Sequence, residues 1–403
     1  MAACPVPGQP FPTRRPPVAA TAESAQFGAR TARTRAQTLQ LRAPMPHDPG
    51  AQKDAALAEL AQSPFRPAFW ARSGFLQTVA AAYGRKASAR DFVLQRWTLP
   101  DGDFVRMHFA LATPEAPLVL LLHGLEGSRD SGYVRAMLHA VRRAGWSLAV
   151  LEFRSCGGEL NRLRRSYHSG ETSDLGYVIE RLRAANPERA IYPVGYSLGG
   201  NVLLKWLGEC CDLVPEQVVA AAAVSAPYDL GVAARQCDAR YGGLFARHFL
   251  RTLVPKALAK GKQFPGLLDL PAVRRCRTFE GFDNLVTAPL HGFRDAEDYW
   301  RRSSCAQFLA TVRVPVLLVG AEDDPLVPGA VLPHAEVEAS PWLVPQFSPR
   351  GGHCAFVCGG MPGWPRRWAE AQVQRFFALH EAWRPPVATS SPCPSRAATS
   401  PQV

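Results

Sequence analysis

An α/β fold with a mostly parallel central sheet is the architecture that this 403-residue sequence predicts, and three features predict it. Short continuous apolar runs such as PLVLLLHG (117–124) read as strands buried on both faces. Stretches with helical periodicity alternate with those runs, the pattern of a parallel sheet covered by helices. A serine bounded by glycines, in GYSLG (195–199), stands where strand periodicity changes to helical periodicity.

DFVLQRWTL and FVRMHFAL, separated by PDGD, predict an N-terminal antiparallel hairpin whose Asp-Gly supplies the turn. After PLVLLLHG, residues 131–145 carry a helical pattern that ends at Gly145. WSLAVLEF is another buried strand. TSDLGYVIERLRAANP reads as a helix with a Thr or Ser cap that stops before Pro187. IYPVGYS is a strand and LGGNVLLKWLGE a helix. QVVAAAAVSAP and VPVLLVG supply two more strands, and WPRRWAEAQVQRFFALHEAW the final helix. Residues 231–305 break the alternation with irregular, basic and aromatic sequence such as RYGGLFARHFLRTLVPKALAKGKQFPGLL. They predict a helical cap over the carboxyl ends of the strands, where ligands bind in such folds.

These elements divide the chain into a disordered Pro/Ala/Arg-rich extension (1–63), one α/β domain (64–384) with the cap inserted, and a disordered Pro/Ser-rich tail (385–403). The extension lacks a continuous apolar core of signal-peptide length, and no run is long enough for a membrane span. A cytoplasmic protein is expected, and an apolar, basic cap is compatible with peripheral contact with an anionic membrane surface.

Composition narrows the partners. The 47% hydrophobic and 20% charged residues are those of an ordinary globular protein. The net charge of +12 comes mostly from scattered arginines, without the interleaved aromatic residues of a nucleic-acid surface, so no nucleic-acid partner is expected. Ten cysteines include no CxxC pair, so reduced thiols are expected rather than a disulfide framework or a zinc site.

Gly195-Tyr196-Ser197-Leu198-Gly199 has the form of a nucleophile elbow, a tight strand-to-helix turn that lifts the serine to a helix N-terminus. A serine hydroxyl needs a base, and the expected order is Ser, Asp, His. Asp323 and Asp324 follow the strand VPVLLVG, and His353 follows a Gly-Gly pair twenty-nine residues past Asp324. Asp324 is the expected partner of His353, with Asp323 as the alternative. The backbone N–H groups of Leu125, in HGLEG, and Leu198 are the expected oxyanion donors. His123 is read as a support of its loop. No metal and no cofactor are called for.

Taken in order, HGLEG, GYSLGGN, GFLQT (74–78), RSCGGELN (154–161), YHSGETSDL (167–175), GFRDAEDYWRRSS (292–304), DDPLVP and GGH resemble the α/β-hydrolase superfamily over roughly residues 64–382. The resemblance is closest to the YheT-like branch, with its abhydrolase-domain lipid hydrolases and yeast medium-chain ester synthases/esterases. It implies an α/β-hydrolase fold, a Ser197, Asp324, His353 triad, and a small-molecule acyl ester of short or medium chain as substrate. The expected activity is a serine carboxylic-ester hydrolase. Transfer of the acyl group to an alcohol is the alternative, and a non-catalytic lipid-binding module a further one. The His-x4-Asp motif that some members use in acyl transfer is absent: His291 is followed by Asp295 and Asp298, both at other spacings.

Overall fold

The computed structural model describes residues 48–82, 87–362 and 364–384. The tail expected at 385–403 and most of the extension expected at 1–63 lie outside them. One part of that extension is corrected. Helix α1 (Pro49–Ala61) opens on Asp48, whose carboxylate accepts from the Ala51 N–H. It buries Ala56 and Leu60 against the sheet, so the folded unit begins before residue 64. Two apolar side chains in a short helix gave too weak a periodicity to stand out from the Ala-rich sequence around it. A second helix, α2 (Gly74–Ala82), leads into the sheet.

Eight strands form that sheet: β1 (Val93–Thr98), β2 (Phe104–Ala110), β3 (Leu118–Leu122), β4 (Ser147–Glu152), β5 (Ile191–Tyr196), β6 (Ala221–Val224), β7 (Val316–Ala321) and β8 (Leu343–Ser348). Their order is β1-β2-β4-β3-β5-β6-β7-β8. The β1–β2 and β2–β4 pairings are antiparallel and the remainder parallel. The expected hairpin turns at Gly102, which adopts the positive φ its position requires.

Continuous apolar runs made the inner strands because both faces are buried. On β3, Leu118, Leu120 and Leu122 pack into one core while Val119 and Leu121 pack into the other. Helices α4 (Ser173–Ala185) and α5 (Leu198–Cys210) cover the first face. On the second lie α1, α3 (Gly132–Arg143) and α13 (Ala369–Trp383). Thr172 stands at the N-terminus of α4 without capping it; its hydroxyl donates to Glu209 instead.

Between β6 and β7 come α6 (Leu230–Ala239), α7 (Leu244–Gln263), α8 (Leu270–Arg275), α9 (Phe279–Phe282), a π-helical turn (Asp283–Thr287), α10 (Ala288–His291) and α11 (Ala296–Ser303). Their apolar residues form clusters of their own around Leu250, Leu253, Val273, Phe282 and Leu290, as a cap requires. After β7 come α12 (His334–Ala339), β8 and a two-stranded ribbon, β9 (Val357–Met361) with β10 (Trp364–Arg367). The expected final helix therefore starts at Ala369, because its first residues pair as β10 with β9. Pro365, which has no N–H to give, is tolerated in so short a ribbon.

A buried ionic network fixes the loop after β4. Arg154 donates twice to Asp174 (2.7 Å each) and once to Asp103 (3.0 Å). Asp103 also accepts from Asn161 (2.6 Å) and from the backbone N–H of Arg162 and Leu163. The first hairpin, the RSCGGELN segment and α4 are thereby tied together.

The placement of α1 has a direct test. Leu60→Ala is expected to lower stability by about 2–4 kcal/mol, the usual cost of truncating a fully buried leucine. Urea unfolding measures it, and a change below about 0.5 kcal/mol, the range of surface substitutions, would mean α1 is not packed on the sheet.

Candidate active site

The chain leaves β3 to one side, into β4, and later returns to β3's other side as β5, so the strand order reverses there. Such a switch point opens a crevice at the carboxyl ends of the strands. The loop after β3 and the turn after β5 meet in it.

Ser197 stands in that turn at φ 52°, ψ −120°, a strained backbone for a residue with a side chain. The neighbouring glycines allow it. A Cβ on Gly199 would meet the Leu122 and His123 carbonyl oxygens at 2.5 and 2.7 Å, and a Cβ on Gly195 would collide with the Gly199 backbone. The Ser197 N–H donates to the Val224 carbonyl (2.8 Å), which anchors the turn to β6.

The structure brings together the three side chains that the sequence singled out. Ser197 Oγ donates to His353 Nε2 (2.8 Å), and His353 Nδ1–H donates to Asp324 Oδ2 (2.8 Å). The other Asp324 oxygen accepts from the Leu326 and Val327 N–H groups (2.8 and 3.0 Å), so the carboxylate is fully engaged while buried. Asp323 points elsewhere and accepts from the Gly351 and Gly352 N–H groups (2.8 and 3.0 Å). Adjacent aspartates thus hold one loop by two handles, Asp324 by the imidazole ring and Asp323 by the backbone.

Further contacts fix His353 that composition and spacing did not indicate. Its N–H donates to Thr78 Oγ1 (2.9 Å), and that hydroxyl donates to the Gly74 carbonyl (2.7 Å). Buried Gln77 donates to the Ala71 and Val357 carbonyls and accepts from the Val357 N–H (2.6 Å). The GFLQT segment is therefore a clasp on the His353 loop. Its quoted pattern was the available signal, but it named no partner. Ser225 Oγ accepts from the Cys354 N–H (3.0 Å) on the other side.

Leu198 opens α5, so its N–H is one of those a helix leaves without an intrahelical acceptor. Around Leu125 the loop's other amides are committed: Gly124 N–H to Tyr133 Oη (2.9 Å), Glu126 N–H to Tyr167 Oη (2.9 Å), Gly127 N–H to Gly124 O (2.9 Å). Both leucines line one cavity with Ser197 and His353. His123 is buried beneath the loop; its Nδ1–H donates to the Gly124 carbonyl and its Nε2 accepts from the Phe153 N–H. Burial pushes its pKa down to about 4, consistent with a neutral support.

That cavity runs from Ser197 under the cap between Leu230, Phe249, Leu253, Ala257, Phe282 and Val286. Its walls are mostly apolar, with a few polar groups set into them. Lys256 of α7 pairs with Glu126 (2.8 Å), which also accepts from Tyr167 Oη (2.8 Å), so the cap is tied to the loop that carries Leu125. Asp283 accepts from Thr287 and Trp300 (2.6 and 2.8 Å), and burial raises its pKa to about 6. His168 and His291 lie with ring centroids 4.4 Å apart, and burial pushes both down to about 3. Asn201, the last residue of GYSLGGN, binds the Ser169 and Ser303 carbonyls and the Cys305 N–H, joining α5 to two segments of the cavity wall. Among the described residues, no three His, Cys, Asp or Glu side chains are grouped to hold a metal, and no helix is long and apolar enough to cross a membrane.

Burial alone would lower the His353 pKa, but the Asp324 charge more than offsets it and sets the pKa well above the ordinary 6.5.

A family profile described as the alpha/beta hydrolase fold matches residues 117–356. The chain is 36% identical over 291 residues to the putative esterase YheT of Escherichia coli, an alignment covering 71% of this chain and 84% of that protein. It is 29% identical over 276 residues to a monoacylglycerol lipase of Saccharomyces cerevisiae, covering 65% of this chain and 59% of the yeast protein. To the medium-chain fatty acid ethyl ester synthase/esterase 2 of the same yeast it is 28% identical over 287 residues, covering 65% and 62%. This chain therefore spans less than two thirds of the length of either yeast relative.

NMR titration tests the coupling at His353. The wild-type imidazole is expected to titrate above 6.5, Asp324→Asn to bring that value down, and Asp323→Asn to leave it raised. A high value surviving in Asp324→Asn would mean another group holds the charge.

Proposed function

Since this chain belongs to the α/β-hydrolase fold family, in its YheT-like branch, we propose that it is a serine carboxylic-ester hydrolase of the esterase/lipase type, acting on short- to medium-chain acyl esters. The observation that carries the reading is the continuous hydrogen-bonded relay Ser197–His353–Asp324 at the mouth of an apolar cavity. The esterase and lipase names of its relatives support the same class of reaction.

In this mechanism Ser197 Oγ attacks the ester carbonyl while His353 Nε2 takes the hydroxyl proton. The Leu125 and Leu198 N–H groups stabilise the tetrahedral oxyanion, aided by the positive end of α5. His353 then passes its proton to the leaving alcohol, and an acyl-Ser197 remains. Water attacks that ester with His353 again accepting a proton; collapse returns the proton to Ser197 and frees the acid. Asp324 holds the Nδ1–H tautomer and stabilises the imidazolium in both halves. The acyl chain lies in the cavity under the cap, against Leu253, Phe282 and Val286.

Hydrolysis of p-nitrophenyl esters from acetyl to palmitoyl tests the reading. The wild type is expected to peak at a short or medium chain, and Ser197→Ala to lose at least about 10⁴-fold in kcat/KM. Activity surviving in Ser197→Ala would refute the assigned nucleophile. The base works only when neutral, so kcat/KM should rise with pH along a limb centred above 6.5, the direction in which His353 is shifted. A limb centred below 6.5 would contradict a base held by Asp324.

A further inference from the structure

On the sheet face covered by α3 and α13 lies a second groove, which shares no lining residue with the Ser197 cavity. Arg135, His139 and Arg143 of α3, Arg366 and Arg367 of β10, and Arg375 of α13 line it. The α3 residues recur at four-residue spacing and so form one stripe along the helix. Arg142, off the stripe, has an acidic partner in Asp91 (2.9 Å). Among the described residues, the Arg135, Arg143 and Arg366 side chains have none. Arg375 approaches Glu59 only at 3.8 Å, and its Nη1 is buried without a hydrogen-bond partner. Arg367 serves the fold, donating to the Cys354 and Ala81 carbonyls (3.2 and 2.7 Å).

Five guanidinium groups around one groove repel each other unless an anion enters. The protein supplies little compensation. Glu370 is the one acidic residue in the lining; it is buried and 3.9 Å from Arg367. Burial raises its pKa to about 7, which leaves much of it uncharged at neutral pH. The neutral donors at the groove are also committed: Gln372 and Trp368 both donate to the Ser63 carbonyl (2.7 Å each).

We propose that this groove is a binding site for a phosphate-bearing ligand, held by Arg135, Arg143, Arg366 and Arg375 and separate from the ester-hydrolysing site. Planar guanidinium forks grip an anion bidentately, and several of them disposed around one groove match a group with three or more acceptor oxygens better than a single carboxylate. The phosphate can belong to a free phosphate compound or to a lipid headgroup.

Two measurements at constant ionic strength test the site and identify the source. Inorganic pyrophosphate is titrated calorimetrically, and co-sedimentation is measured with phosphatidylglycerol vesicles against phosphatidylcholine vesicles. The wild type is expected to bind at least one of pyrophosphate and phosphatidylglycerol. Binding of pyrophosphate points to a free phosphate compound, and binding of phosphatidylglycerol vesicles alone points to a headgroup. An Arg135→Gln/Arg143→Gln variant is expected to weaken that binding by about tenfold or more, since each lost charge-assisted contact is worth roughly a factor of ten. Both changes are on the surface of α3, and p-nitrophenyl ester hydrolysis should be unchanged in the variant. Failure of the wild type to bind either probe, or equal binding by the variant, would overturn the site without touching the reading of Ser197.

Discussion

Everything at the candidate site depends on how closely two backbones approach at the turn between β5 and α5. The Leu122 and His123 carbonyls at the end of β3 lie where a Gly199 side chain would begin, and Gly124 faces Ser197 Cβ. Only with glycine at 195 and 199 can the chain turn this sharply while Ser197 holds a positive φ. Strain of this kind typically amounts to about 1–3 kcal/mol per residue and persists only when the surroundings over-determine it. Here the surroundings are the Val224 carbonyl, α5, buried from Leu198 to Gly208, and the β3 loop. Their rigidity sets the serine hydroxyl against His353 Nε2 before any substrate arrives.

The histidine is held with equal care but by different means. It lies on a loop after β8, far from Ser197 in sequence, and three side chains from two elements, the loop after β7 and α2, restrain it. Asp324 takes the ring, Asp323 takes the two preceding amides, and Thr78 takes the His353 amide itself. A loop fixed at ring and backbone loses little entropy on acting, which suits the general-base role proposed for His353. On the cavity side, the Lys256–Glu126 pair ties the cap to the loop bearing Leu125, so the cavity wall and the proposed oxyanion donor form one connected unit.

Much of this was legible in the sequence because it rests on local rules. Buried strands announced themselves as apolar runs, the elbow as glycines around a serine, and the order Ser, Asp, His by position alone. The choice between Asp323 and Asp324 was partly legible, since neighbouring side chains diverge, but which one meets the ring is decided by the β7 register. What the sequence hid was tertiary. Strand β8 alternates too little to stand out, and β10 was absorbed into a helical pattern because its pairing with β9 is non-local. Helix α1 shows only two buried residues. Thr78 and Lys256 act through partners 275 and 130 residues away, and no spacing rule reaches that far. The arginine groove escaped for the same reason, because its charges come from three elements and look scattered along the chain.

The most direct test of the account is covalent capture of the nucleophile. The protein would be treated with a fluorophosphonate, digested, and its peptides mapped by mass spectrometry. A single phosphonylated residue at Ser197, lost in His353→Ala, is the predicted result. Labelling at another serine, or none in folded protein that hydrolyses esters, would contradict it.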